Sequence, residues 1–173
     1  EGISHEALSL AGHLKLKNLI MLFDNNSISI DGPTSLTVSD KYKKRFESYN
    51  WGYIEINGHK EKEIFKALKK VQKANRPTVI SCKTKIGFGS PNKSGKSSAH
   101  GSPMGEDEIK LIRKKLKWSH DPFVIPDNIL NTWREIGKKG LNEERKWKKN
   151  SYKKENFENK INSIIQNAKN TVI

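Results

Sequence analysis

Between residues 18 and 82 the chain alternates short apolar runs with amphipathic stretches, and this alternation constrains its fold more than any other feature. The run Asn18-Leu19-Ile20-Met21-Leu22-Phe23 ends abruptly at Asp24-Asn25-Asn26. A continuous apolar run of that length suits a strand buried on both faces, as in a parallel sheet. Gly52–Ile56 and Thr78–Cys82 read as two further strands, rich in β-branched and aromatic residues. Helices are expected around them. Residues 4–15 set Ala7, Leu8, Ala11 and Leu14 at helical spacing, with Ser4 as N-cap. A short helix falls near Lys41–Tyr49. Across His59–Asn75, Ile64, Leu68 and Val71 share one face with lysines opposite, and Arg76-Pro77 ends the helix. The expectation is an α/β fold, a parallel sheet flanked by helices.

Ligands of such sheets gather at the carboxyl ends of the strands. Those ends are Asp24–Gly32, Asn57–His59 and Lys83–Gly105, the last a 23-residue stretch holding Gly87, Gly89, Gly95, Gly101 and Gly105. A loop that long in a compact domain is usually functional. Beyond it, Glu106–Trp118 reads as an amphipathic helix, His120-Asp121-Pro122 as a turn, and a further helix starts near Pro126. Asn142–Asn170 is highly charged and helical in pattern, with Trp147, Phe157, Ile161 and Ile164 as sparse anchors. The expected division is therefore an incomplete α/β domain over residues 1–125 and a helical, highly charged extension over 126–173.

The net charge of +14 raises the question of a nucleic-acid partner. Residues 1–100 carry 17 basic and 9 acidic side chains, and residues 101–173 carry 16 and 10. The excess is spread evenly, unlike the clustered stripe of a nucleic-acid site, so no such partner is expected. No stretch approaches the roughly 18 apolar residues of a membrane span. Cys82 is the single cysteine, which excludes an intramolecular disulfide framework and a Cys-rich zinc site. Glu1-Gly2-Ile3-Ser4-His5 has neither the basic start nor the apolar core of a secretory leader. A reducing, cytoplasmic setting is the expectation. Hydrophobic residues are 34% and the mean hydropathy is −0.79, enough for a modest core.

Ser90–Ser97 nearly fits a Walker-type phosphate loop, but Ser90 stands where the first glycine belongs and Pro91 lacks an amide donor. Asn26 and Ile28 are more informative. A side-chain amide oxygen and a backbone carbonyl at a strand's carboxyl end can supply two of the roughly six oxygens magnesium takes. The same residues equally suit a plain turn, since Asn tolerates turn backbone angles. His100, in the glycine-rich loop, can donate to phosphate or shuttle a proton near neutrality, or simply face solvent. His5, His13, His59 and His120 read as structural.

Three blocks carry a family resemblance. Glu1–Ala7 with Ser9–Gly12 resembles the segment following the Gly-Asp-Gly motif of transketolases. Asp24–Gly32 resembles their cofactor-metal loop, and Cys82–Lys93 with His100–Pro103 is similar to their long active-site loop. Arg45–Trp51 and Trp118–Pro126 match in order too, so the resemblance runs from residue 1 to about 135. It implies the diphosphate-binding domain of an enzyme that uses thiamine diphosphate with Mg2+ or Ca2+. That enzyme moves a two-carbon ketol unit from a ketose phosphate to an aldose phosphate in the pentose phosphate pathway. It also implies that Asn26 binds metal and diphosphate, that Ile28 offers its carbonyl to the metal, and that Ile30 packs on the thiazolium. His100 is then the residue contacting diphosphate and donor sugar and assisting proton transfer. Active sites of the family lie at a homodimer interface.

The sequence also departs from that pattern. Gly-Asp-Gly would lie just before Glu1, and the activating glutamate and the phosphate-binding arginines are absent, so the 173 residues alone are expected to be inactive. Ser97 stands where many members have a second histidine, and Ser27 replaces a common glycine. Dihydroxyacetone synthase and deoxyxylulose-phosphate synthase share the chemistry as alternatives. A noncatalytic basic binding module on the same scaffold is the reading from another class.

Overall fold

The computed structural model describes residues 3–150 and 154–171. The chain divides into two compact units, Glu1–Ser119 and His120–Ile173.

The first unit is built on a parallel three-stranded sheet. Its strands are β1 (Ile20–Asn25), β4 (Gly52–Asn57) and β5 (Thr78–Lys83), in the order β1-β5-β4. Two very short strands, β2 (Ile28–Ser29) and β3 (Gly32–Pro33), pair separately as an antiparallel hairpin. Helices α1 (Ser4–His13) and α2 (Tyr42–Ser48) lie on one sheet face and α3 (Glu61–Val71) on the other, while α4 (Glu106–Lys115) follows the long loop. The sheet and flanking helices are those the apolar runs call for.

Period-2 alternation along the strands separates two cores. On one face Val79 packs with Ala11, Phe46 and Trp51, flanked by Met21, Phe23 and Tyr53. On the other, Ile80 packs with Ile56, Ala67 and Val71. Val79 and Ile80 are essentially sealed from solvent, each worth about 1.5–3 kcal/mol of burial. β5 is central and buried on both faces. Trp51 locks the first core, since its indole Nε1 donates to the Leu8 carbonyl at 2.8 Å. Gly12 of α1 is equally constrained, because a Cβ there would stand 1.7 Å from the Tyr49 carbonyl oxygen.

Three local expectations change. β1 is an edge strand with one covered face: Met21 and Phe23 pack against the first core, while Leu22 is 64% exposed. α3 spans only β4 and β5 on the opposite side, so the apolar run is not buried twice. Ser4 is the first helical residue of α1 rather than its cap; Ile3 occupies that position. Within α3 it is Ala67 that is buried, whereas Leu68 stays partly exposed.

In the second unit, α5 (Asp127–Asn150) and α6 (Lys154–Thr171) replace the single helical stretch expected over Asn142–Asn170. Residues 151–153 of that stretch lie outside the described residues. Trp133, Trp147, Phe157 and Ile164 are all well exposed on these helices. Among the described residues no helix is long and apolar enough to cross a membrane.

Candidate functional site at the carboxyl edge of the sheet

Parallel pairing brings three loops to one edge. Asn25, Lys83 and Asn57 stand level in the register, so the segments after β1, β5 and β4 all leave the sheet at the same end. Short contacts tie them together. The Thr84 hydroxyl donates to Asp24, and the Thr84 amide donates to the Asn25 carbonyl at 3.3 Å. The Gly58 amide donates to the Lys83 carbonyl at 2.8 Å. Lys83 also bridges to Glu55 at 2.9 Å, and that hydrogen bond raises the ammonium pKa above its ordinary value. Cys82, just inside the edge, has its thiol pushed up by burial and then by the Asp24 charge.

After β1 the chain makes a turn that hydrogen bonds fix closely. The Asn26 side-chain Oδ1 accepts the Ile28 amide at 3.0 Å. Ser27 takes up a left-handed conformation at φ 61°, and its carbonyl accepts the Thr34 amide at 3.0 Å. The β2–β3 hairpin then sets Ile28 opposite Pro33, and the Ser29 hydroxyl donates to the Gly32 carbonyl at 3.0 Å. Pro33 has no N–H, so it gives the Ile28 carbonyl no cross-strand hydrogen bond. Asn26 and Ile28 are half-buried, whereas Ile30 at the hairpin tip is 73% exposed. A hollow of about 260 Å³ borders the hairpin, lined among others by Asn25, Ser27, Pro33 and Thr34.

The long loop after β5 has little regular structure beyond one 3-10 turn at Ser97–Ala99, yet it is heavily cross-linked. Glu108, in the first turn of α4, is 8% exposed and accepts three hydrogen bonds. The donors are the Ser90 hydroxyl, the Asn92 amide at 2.9 Å and the Asn92 side chain at 2.8 Å. These donors, the Ser90 hydroxyl foremost, hold the Glu108 carboxyl down at about 2. Ser90 Oγ in turn accepts the Lys93 amide at 2.9 Å, and Lys93 Nζ donates to the carbonyls of Met104 at 2.9 Å and Pro103 at 3.3 Å. The Walker-like segment is thus a carboxylate-centred knot rather than a phosphate loop. His100 follows the 3-10 turn, its amide donating to the Ser97 carbonyl at 2.8 Å and its side chain exposed.

Sequence reasoning left one organising residue, Glu108, out, and read another, His59, as structural without its partners. His59 is more than a residue at a helix start: Nε2 accepts the Lys85 amide at 2.9 Å, and the ring stacks on Phe88 at 4.1 Å. Its place just after Asn57-Gly58, at a strand's carboxyl end, was the available signal. Glu108 was hidden among the three acidic residues that open α4, where any carboxylate favours the helix dipole. Asn26, Ile28 and Ile30 stand together on the hairpin, and His100 lies on a separate loop. Among the described residues no hydrogen bond or ion pair joins the two groups.

Hard oxygen donors define what the hairpin can hold. Asn26 Oδ1 and the Ile28 carbonyl are both neutral oxygens, fitting two positions of a Mg2+- or Ca2+-type shell that takes its charge from phosphate and other carboxylates. Consistently, no three His, Cys, Asp or Glu side chains gather to hold a metal among the described residues. Any cation held there would need further ligands from outside the hairpin.

A parallel sheet whose polar and glycine-rich loops meet at the strand carboxyl ends defines an α/β ligand-binding domain of the kind that takes phosphorylated cofactors. Residues 1–170 match the family model described as transketolase, thiamine diphosphate binding domain, and the chain belongs to that family. A transketolase of Buchnera aphidicola subsp. Acyrthosiphon pisum is 50% identical over 149 residues, covering 85% of this chain and 22% of that protein. The crystal structure of transketolase from Campylobacter jejuni superposes with a TM-score of 0.83 at 39% identity, covering 91% of this chain and 26% of that one. A transketolase from Pichia stipitis in complex with sedoheptulose 7-phosphate gives 0.78 at 34% identity, covering 86% of this chain and 22% of that one. The chain thus spans about a quarter of the length of these relatives.

Proposed function

We propose that this chain forms part of a transketolase active site, in a transferase of two-carbon ketol groups from a ketose phosphate to an aldose phosphate. Residues 1–125 form its share of the diphosphate-binding domain and 126–173 the extension. When bound, thiamine diphosphate supplies a nucleophilic carbon and an electron sink. The work of this chain is anchoring and proton management. Asn26 Oδ1 and the Ile28 carbonyl hold a divalent cation, Mg2+ or Ca2+, and through it the diphosphate. Ile30 offers its exposed side chain to the flat face of the cofactor ring. His100 contacts the diphosphate and the donor sugar, holding or releasing a proton at the substrate oxygens. The reading also includes a homodimer with the site at the subunit interface, a cytoplasmic location and the pentose phosphate pathway. Neither a nucleic acid nor a membrane is among its partners.

The observation that carries this reading is the match over residues 1–170 to a thiamine diphosphate binding domain. The hairpin supports it, since it presents oxygen donors at the sheet edge where such a ligand would sit. The test is a calorimetric titration of the full-length polypeptide with thiamine diphosphate, with Mg2+ and then with excess chelator. Binding that requires the cation, together with ketol transfer that falls at least about tenfold in His100→Ala, is the expected result. Metal-independent binding, or unchanged kinetics in His100→Ala, would overturn the assigned roles.

A further inference from the structure

We propose that Glu108 is the positioning residue for His100, acting through the knot of hydrogen bonds that folds the loop between β5 and α4. This inference rests on the reading of His100 as the proton-handling, diphosphate-side histidine, and it adds to that reading what sets the histidine's place. A loop of this length with five glycines has high conformational freedom, and it contributes no strand and only one 3-10 turn. Something must select one shape, and the contacts trace how. Glu108 gathers Ser90 and Asn92 from the loop's outgoing limb onto the first turn of α4, where the loop ends. Ser90 then fixes the Lys93 backbone, and the Lys93 ammonium crosses to the Pro103 and Met104 carbonyls. Those carbonyls lie three and four residues after His100. The Gly95 amide closes onto the Ile86 carbonyl at 2.8 Å, and the His100 amide onto Ser97 at 2.8 Å. His100 is thus held from both sides by a network whose single acceptor hub is one carboxylate. Ser90 and Glu108 are buried, while the segment they constrain is exposed, as a fixed base under a functional tip requires.

The hub is acceptor-only on both oxygens, so its chemistry is testable by swapping donor and acceptor. Glu108→Gln keeps the shape but removes the charge and one acceptor oxygen, so the Asn92 NH2 loses its acceptor unless its amide flips to offer Oδ1. Adding Asn92→Asp reverses the polarity of that pair and restores a donor–acceptor match. The experiment is NMR of the full-length polypeptide, selectively labelled and without cofactor, reading the ring resonances of His5, His13 and His100 and amide exchange at Asn92 and Lys93. In Glu108→Gln, amide exchange at Asn92 and Lys93 should accelerate at least about tenfold. His100 ring signals should shift or broaden, with those of His5 and His13 unmoved. The double variant should return the His100 signals toward wild type. Lys93→Met, which leaves the Glu108 contacts intact, should move the His100 signals on its own. Loss of protection with unmoved His100 signals, in Glu108→Gln and in Lys93→Met alike, would overturn the proposal and leave Glu108 as a local tie between Ser90, Asn92 and α4. Because no cofactor is present, that result would be separate from any failure of the transketolase reading.

Discussion

Asn26 holds the amide of Ile28 on its side-chain oxygen at 3.0 Å, so one residue both shapes the turn and presents the oxygen proposed to meet a cation. The two tasks can be separated. Asn26→Asp keeps an acceptor for the Ile28 amide and adds charge, whereas Asn26→Ala removes both functions. Groups that position metal ligands typically cost 10–100-fold in affinity when removed. Titrating the full-length polypeptide with Mg2+ and thiamine diphosphate should therefore give Asn26→Ala a loss of at least about tenfold, and Asn26→Asp a smaller one. Equal affinity in wild type and Asn26→Ala would remove Asn26 from the site.

Ser27, next in the turn, pays a conformational cost at φ 61°. A left-handed conformation costs an L-residue about 1–2 kcal/mol. Glycine avoids that cost but loses about 0.5–1 kcal/mol of extra backbone freedom on folding. The difference favours Ser27→Gly by roughly 0.5–1 kcal/mol. Urea unfolding should show a small rise in midpoint at constant slope. A lower midpoint would mean that the serine side chain contributes something the turn geometry does not reveal.

The parts legible in the sequence were those written in local periodicity. The run before Asp24 marked a strand because it is short and continuously apolar, the run after Pro77 because it is rich in β-branched residues, and parallel order then placed three loops at one edge. The hairpin was illegible because strands of two residues, one of them ending in Pro33, leave no alternation to read. The exposed side of β1 was likewise hidden: Leu22 has the same neighbours in sequence whether or not a helix covers it. Glu108 reaches donors 16 and 18 residues away, a pairing no periodicity encodes. Residue type and position raised Asn26, Ile28 and His100, each open to a plainer turn or loop reading, and family likeness gave them roles and added Ile30.

Helix α1 is seated against the turn before β4 with no room between them. Gly12 stands where any side chain would run into the Tyr49 carbonyl, with the Trp51 ring also close by. Overpacking usually costs about 1–3 kcal/mol, and more when the obstacle is backbone. Gly12→Ala should therefore lose at least about 3 kcal/mol in denaturant unfolding, with loss of the Trp51 indole hydrogen bond to Leu8 visible as a shifted indole N–H signal. A near-neutral Gly12→Ala would show that α1 can slide away from β4 at little cost.

His59 joins the β4 end to the long loop after β5 by accepting the Lys85 amide while stacking on Phe88. His59→Phe keeps the stack and removes the acceptor; His59→Ala removes both. Amide exchange at Lys85 should accelerate in each variant, by at least several-fold, as expected when a net hydrogen bond worth about 1 kcal/mol is lost. Only His59→Ala should also change the Phe88 ring environment. Lys85 exchange that stays at the wild-type rate in both variants would dissolve the link.

Acid should open the long loop at a pH set by Glu108. Its carboxyl ordinarily titrates near 4.5 and is held down to about 2 here, first by the Ser90 hydroxyl and then by the Asn92 amide and side chain. A carboxylate with a depressed folded pKa contributes stability that is fully present above the unfolded value and is lost as pH falls through the folded one. The window therefore runs from about 4.5 down to about 2. Across it, protection of the Asn92 and Lys93 amides should fall progressively in the wild type. Lys93 Nζ bonds the Pro103 and Met104 carbonyls rather than Glu108. Glu108→Gln has no such group to protonate, so its loop protection should start lower and stay flat over the same range. Superimposable pH profiles for the two proteins would show that the loop's order does not depend on the Glu108 charge.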